Sequence, residues 1–328
     1  MARLKDRYGR TLSYLRISVT DRCSLRCIYC QPQGMCAPKV PMEEILTFEE
    51  IREMAEAGAA LGIRDIRVTG GEPLARRGCP ELVGMLRDIP GIRSVSMTTN
   101  GLALKEALPA LLEAGLSGVN VSLDTLDRRT YERITGKAAL EDVLAGIREA
   151  LSLGLPVKIN AVLLKNLSLD NALALCELAR TQPLFVRFIE LMPIGAGRDF
   201  AGMSCKELTA RLQAHYPGMK PCGDRIGAGP ASYFEIPGFA GKIGMIPAAC
   251  GSFCPGCTRL RLTSMGALRP CLSSDREVDV KKILRSGGNE RERLHLLQDA
   301  YQRAAMEKPQ HSTFDTKPQQ ECMAEIGG

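Results

Sequence analysis

Six short runs rich in β-branched residues recur between residue 12 and about residue 215: LRISVT, IRDIRVTG, SVSMTT, GVNVSL, VKINAVL and LFVRFIEL. Stretches between them, such as 47–61, 102–114 and 169–180, space their apolar residues by three and four, the period of an amphipathic helix. Thr47 followed by Glu50 is a capping box, and Gly62, Gly115 and Gly154 stand where C-terminal caps belong. Strands that alternate with crossover helices run parallel. The expected architecture is α/β, a partial (β/α)6 barrel of the TIM type over residues 1–215. Beyond about residue 216 the rhythm changes to Gly- and Pro-rich turns, two hairpin-like runs (ASYFEIPG and GKIGMIPA) and a helix near 290–306. This predicts a smaller α+β extension over 216–328, in which KPQHSTFDTKPQQ, 308–320, is a poorly ordered arm.

Strands of a parallel sheet are covered on both faces and should read as near-continuous Val, Ile and Leu. These strands are interrupted instead by Arg16, Arg67, Thr98, Asn120, Ser122, Lys158, Asn160, Arg187 and Glu190. Any one of them could pair locally or snorkel at a strand end. Their recurrence in every strand points to a filled lumen lined by cations, suited to an anion with several negative charges such as a nucleotide polyphosphate. The formal charge of +6 is compatible with nucleic acid, a membrane surface or a small anion. With no Trp, 5% aromatic residues and no long basic block, stacking on nucleic-acid bases is disfavoured. The opening MARLKDRYGR lacks the apolar stretch of a signal peptide, and no run approaches a membrane span, so the expected address is cytoplasmic.

Thirteen cysteines in a reducing compartment predict metal or redox chemistry where they cluster and small buried hydrophobes where they scatter. The scattered class comprises Cys36, Cys79, Cys176, Cys205, Cys222, Cys250 and Cys322. Two triads remain: Cys23, Cys27 and Cys30 in TDRCSLRCIYCQP, after the first strand, and Cys254, Cys257 and Cys271 in SFCPGCTRLRLTSMGALRPC. Zinc could be held by joining the triads or by adding a histidine to each, but His215, His295 and His311 lie beside neither. An iron–sulfur cluster held by three thiolates leaves one iron open, and that open position is the mark of a site that takes up a small molecule.

The C-x3-C-x2-C spacing with Tyr29 before the last cysteine resembles the signature of the radical S-adenosylmethionine (SAM) superfamily, as does the Gly-rich turn of IRVTGGEP. The ordered set LRISVTDRCSLRCIYC, RVTGGEPLARR, MTTNGL, NVSLDTLD, VKINAV, VRFIELMPIG, SFCPGCTRLRLTSMGALRPC and the closing Gly-Gly is similar, over nearly the whole chain, to the molybdenum cofactor biosynthesis protein A family, GTP 3′,8-cyclase. Ser24 departs from it, since an Asn is expected there, and Cys36 and Cys250 make the setting richer in cysteine.

The resemblance implies two [4Fe-4S] clusters, one on each triad, the second carried by the C-terminal extension, and SAM chelated at the open iron of the first. It implies conversion of GTP to 3′,8-cyclo-7,8-dihydro-GTP: a 5′-deoxyadenosyl radical removes the C3′ hydrogen, and the sugar radical closes onto guanine C8. Carried over residue by residue, Tyr29, Gly71, Ser122 and Met192 would hold SAM, with Gly71 small so that its backbone can approach the ligand. Arg16, Arg67, Thr98 and Lys158 would hold GTP. Arg259 and Arg261 project from one face of a strand after Cys257, where they would grip phosphate or act catalytically on a late radical intermediate. Implied partners are a low-potential electron donor, a downstream cyclic pyranopterin monophosphate synthase and a second copy of the chain in a homodimer, with neither nucleic acid nor membrane. Gly327 and Gly328 would reach into the active site. A radical SAM enzyme acting on a peptide and a zinc-bearing basic module are the competing readings.

Overall fold

The computed structural model describes residues 3–32, 39–223, 229–248, 253–314 and 322–326. Cys36, Cys250, Gly327, Gly328 and residues 315–320 of the expected arm lie outside the described residues.

All six expected strands form: β1 (Tyr14–Ser18), β2 (Asp65–Thr69), β3 (Ser94–Thr99), β4 (Val119–Ser122), β5 (Val157–Leu163) and β6 (Phe185–Glu190). The intervening helices are α1 (Phe48–Ala60), α2 (Cys79–Arg87), α3 (Leu104–Glu113), α4 (Arg128–Thr135), α5 (Leu140–Ser152) and α6 (Leu169–Thr181). After β6 come α7 (Cys205–His215), β7 (Lys220–Pro221), β8 (Ser232–Glu235), β9 (Lys242–Ile246), β10 (Arg259–Leu262), β11 (Ala267–Arg269), β12 (Val278–Asp279), α8 (Lys281–Leu284) and α9 (Glu290–Met306). The Thr47 hydroxyl accepts from the Glu50 N–H while the Glu50 carboxylate accepts from the Thr47 N–H, so the capping box closes at the start of α1. Gly62, Gly115 and Gly154 adopt φ of 99°, 79° and 73°, the left-handed caps expected after α1, α3 and α5.

Strands β1 to β6 pair in sequence and in parallel, and the sheet stays open. The C-terminal segment extends this same sheet at both margins: β9 pairs in parallel with β6, and β10 with β1. The β8–β9 pair is antiparallel, matching the two hairpin-like runs. Burial explains the polar strands. Leu15, Ile17, Val68, Val95, Met97, Val119, Val121, Ile159, Val186 and Phe188 are buried in the main apolar core, while the alternate residues face the open interior. In β5 the alternation is complete, with Val157, Ile159, Ala161 and Leu163 buried and Lys158, Asn160 and Val162 partly accessible. Only one face of this parallel sheet is covered by helices and apolar packing.

The scattered cysteines divide. Cys79, Cys176 and Cys205 are buried small hydrophobes as expected. Cys222 is half-buried and accepts from Lys242 Nζ at 3.1 Å, and Cys322, although buried, is disulfide-bonded, so neither is the inert free thiol that composition implied. The arm expected at 308–320 is anchored over its first residues, because Lys308 is buried and Phe314 packs in a small apolar cluster.

Candidate active site

The open interior of the sheet is a cavity of about 340 Å³. Its wall includes all six cysteines of the two triads, together with Arg16, Arg67, Tyr29, Gly71, Thr98, Ser122, Met192, Arg259 and Arg261. Of the residues singled out in the sequence as ligand-holding, Lys158 alone is not part of this wall; its Nζ lies 5.6 Å from the centre of the Phe185 ring.

The first triad occupies the loop leaving β1. That loop is pinned from several sides: Arg26 N–H donates to Thr135 O at 2.9 Å, Ile28 N–H to Ile134 O at 3.0 Å, and Arg76 donates to Val19 O and Leu46 O. The Gly-rich turn after β2 docks directly on it, with Gly71 N–H donating to Thr20 O and Glu72 N–H to Arg22 O, each at 2.7 Å. A Cβ on Gly71 would lie 2.4 Å from Arg22 O and 2.9 Å from Asp21 O. The glycine is therefore required by contact with the cysteine loop itself. Glu72 caps the following turn and accepts from Leu74 N–H, Thr99 Oγ1 and Asn100 N–H. Burial lifts its carboxyl to about 7, against the pull of these donors. Asn100 in turn donates from Nδ2 to Ser24 Oγ at 3.0 Å and to Cys23 Sγ at 3.7 Å. Ser24, where the resemblance leads one to expect Asn, thus helps to orient a donor to a triad sulfur.

Tyr29 donates its hydroxyl to Asp124 Oδ2 at 2.6 Å, and Asp124 Oδ1 accepts from Val162 N–H at 2.7 Å. Burial raises the Asp124 carboxyl to about 6 and, with Asp124 adjacent, raises the Tyr29 phenol further above its ordinary range. The hydroxyl proton of Tyr29 is therefore committed to Asp124. Burial likewise pushes the Cys30 thiol up to about 12, and the Cys27 thiol is raised by burial and then by Cys30 and Asp124.

Strand register turns the isolated basic residues into a row. Arg261, Arg16 and Arg67 are successive Cα partners across β10, β1 and β2. Thr98 pairs with Asn120 and Asn120 with Lys158, while Asn160 stands opposite Arg187 and accepts from its Nη2 at 2.5 Å. Burial, then Arg261, holds Arg16 well below its ordinary range, and burial brings Arg187 down to about 10 and Lys158 to about 8. Among the described residues the buried atoms Arg67 Nη1, Thr98 Oγ1, Arg187 Nε and Gln31 Oε1, all on the cavity wall, have no hydrogen-bond partner in the protein.

The second triad faces the same cavity from β10 and its flanks. Burial alone would raise the Cys257 thiol, but Arg259 and Lys308 outweigh it and bring it to about 6. Arg10 donates to Cys254 O at 2.8 Å and to Pro309 O at 2.6 Å, tying the beginning of the chain to this loop and to the C-terminal arm. Met323 and Ala324 line the cavity, and Ile326 packs with Ile194 and Phe314 beside Met192. No trio of His, Cys, Asp or Glu among the described residues is close enough to clasp a single ion. The thiols of each triad instead line a shared space, as a cluster that gives each thiolate its own iron requires.

Sequence reasoning missed Tyr14, Arg10, Asp124 and Lys308. Tyr14 begins β1 and accepts from Arg67 Nε, and Asp124 could have been suspected from its place two residues beyond the end of β4.

The sequence matches the radical SAM superfamily over residues 17–179 and the molybdenum cofactor synthesis C family over residues 184–314. It is 42% identical to the GTP 3′,8-cyclase of Pelotomaculum thermopropionicum, covering 99% of this chain and 100% of that one. Identity to the GTP 3′,8-cyclase of Moorella thermoacetica is 43%, with the same coverage. Among solved structures, Streptococcus suis SuiB bound to S-adenosylmethionine aligns with a TM-score of 0.63 at 13% identity, covering 95% of this chain and 71% of that one. Native anSMEcpe with bound AdoMet aligns at 0.57 and 15% identity, covering 90% and 81%. These two likenesses establish the α/β fold with its open, partial barrel.

Proposed function

The chain belongs to the GTP 3′,8-cyclase family of the radical SAM superfamily, and from that membership and its cavity we propose how its own residues carry out the reaction. The observation that carries the reading is the convergence of both cysteine triads and the guanidinium row on one cavity. Cys23, Cys27 and Cys30 hold one [4Fe-4S] cluster, and Cys254, Cys257 and Cys271 the other. When bound, the first cluster and SAM would supply the radical that takes the C3′ hydrogen of GTP; C3′ would then close onto guanine C8, and one electron from the proposed low-potential donor with one proton would complete an isomer of GTP.

The protein positions the reactants and excludes water. Arg16, Arg67, Thr98, Lys158, Arg259 and Arg261 bind GTP; the guanidinium row neutralises its phosphates with planar, forked donors. Arg259 and Arg261, on the strand that follows Cys257, orient the nucleotide beside the second triad. Tyr29, Gly71, Ser122 and Met192 form the SAM side, with Asp124 fixing the Tyr29 ring through its hydroxyl. Met323 and Ala324 line the cavity, and Ile326 packs in the cluster that Met192 joins, so the segment that leads to the Gly-Gly end stands beside the SAM side of the site. Among the described residues no helix is long and apolar enough to cross a membrane, and we assign the enzyme to the cytoplasm. A low-potential electron donor, a cyclic pyranopterin monophosphate synthase that consumes the product, and a second copy of the chain complete the proposed partners.

Anaerobic incubation of the reconstituted protein with GTP, SAM and dithionite, followed by mass spectrometry, tests the reading. Formation of an isomer of GTP together with 5′-deoxyadenosine is the expected result. Deoxyadenosine formed without any change in GTP would overturn the substrate assignment.

A further inference from the structure

Lys308 is 2% exposed, yet no carboxylate pairs with it among the described residues. A buried ammonium without a counter-charge costs several kcal/mol, and the neighbouring groups that favour its charge are the thiolates of Cys257 and Cys271. Its Nζ donates to Arg259 O at 2.8 Å and to Pro270 O at 2.7 Å. Carbonyl dipoles satisfy hydrogen bonds but do not neutralise a cation. Both carbonyls belong to the second triad's own segments: Arg259 follows Cys257 by two residues, and Pro270 immediately precedes Cys271. The ammonium therefore ties together the two stretches that deliver these thiols, and it lies on the same cavity wall. The first triad is set differently, with the carboxylates of Asp124 and Glu72 among its electrostatic neighbours and Arg26 and Lys39 as the cations nearby.

We propose that Lys308 is the internal counter-ion of the second cluster, holding together the segments that bear Cys257 and Cys271 and making that cluster easier to reduce through its positive charge. The inference rests on the reading that the second triad carries a cluster. Reduction potentials of iron–sulfur centres follow net charge and the donors around their sulfurs, so a fixed cation bonded to the backbone of both ligand-bearing segments has a direct electronic consequence. Lys308 is a positioning residue, since it reaches the cluster ligands through backbone and field.

The test uses the full chain, anaerobically reconstituted, as wild type, Lys308→Met and Lys308→Arg, each also combined with Cys23→Ala, Cys27→Ala and Cys30→Ala to isolate the second cluster. Iron and sulfide content and redox titrations followed by electron paramagnetic resonance are the readouts. Lys308→Met is expected to shift the second cluster to more negative potential, or to lose that cluster selectively, while the first cluster's signal and potential stay unchanged. Lys308→Arg, which keeps the charge, is expected to retain the second cluster near its wild-type potential. Equal loss of the second cluster from both variants, or an unchanged potential in Lys308→Met, would overturn the inference. Should the triple cysteine variant with wild-type Lys308 hold no iron, the two-cluster reading itself falls, which separates that failure from the first.

Discussion

Arg16 and Arg261 are register partners on adjacent parallel strands, although one lies near the start of the chain and the other far toward its end. The Arg261 guanidinium makes the Arg16 charge more costly. Replacing either by Met should weaken GTP binding about tenfold to a hundredfold, the cost of one charge-assisted contact. The double variant should lose less than the product of the single effects, because both cations answer the same anion. Equilibrium dialysis with labelled GTP measures the losses; strictly multiplicative effects would argue that the two residues contact separate ligands.

Lys158 supplies a pH signature. Burial, then Arg187 and Arg67, bring its ammonium down to about 8, so it is charged below that pH and neutral above it. Affinity for GTP should fall as pH rises from 7 to 9, a window above the last phosphate ionisation near pH 6. Lys158→Met should bind more weakly at pH 7 and flatten the profile. An identical slope in the variant would exclude this residue as the source.

Gly71→Ala should separate structure from chemistry. The new methyl meets the carbonyls of Arg22 and Asp21, backbone that cannot swing aside. The cysteine loop must move, and cost of overpacking at such a contact is about 1–3 kcal/mol. Loss of the first cluster's iron with retention of the second's is the expected pattern, read from metal content.

Tyr29→Phe removes the donor to buried Asp124 and leaves its carboxylate one partner short. A destabilisation of about 1–3 kcal/mol is expected in denaturant melts. SAM binding, which depends on the ring rather than the committed hydroxyl, should persist within a few-fold; abolition of SAM binding in a folded protein would show that the hydroxyl itself serves the ligand.

Much of the barrel was legible because hydrophobic period and capping are local. The run VKINAVL alternates, and β5 alternates between core and lumen in the same phase; Thr47 and Glu50 are three residues apart, and they cap α1 as their spacing implied. The triads were legible because thiols at fixed short spacing have few other uses. The sequence also showed that cations interrupt the strands, though not how they assemble.

Assembly depended on contacts between distant segments, which no local pattern encodes. That β10 returns to pair with β1, and so sets Arg261 beside Arg16, is a matter of sheet register. That Lys308, in a segment whose polar composition reads as a loose arm, is buried beside Cys257 and Cys271 follows from carbonyls offered by β10 and the Pro270 turn. Ser24 gained a purpose only when Asn100 came within reach. The amino-acid order by itself determined which elements form and which chemistry the chain can hold. The tertiary structure alone decided which charges meet, because electrostatic interactions act through space and depend on burial, whereas propensity and period act along the chain.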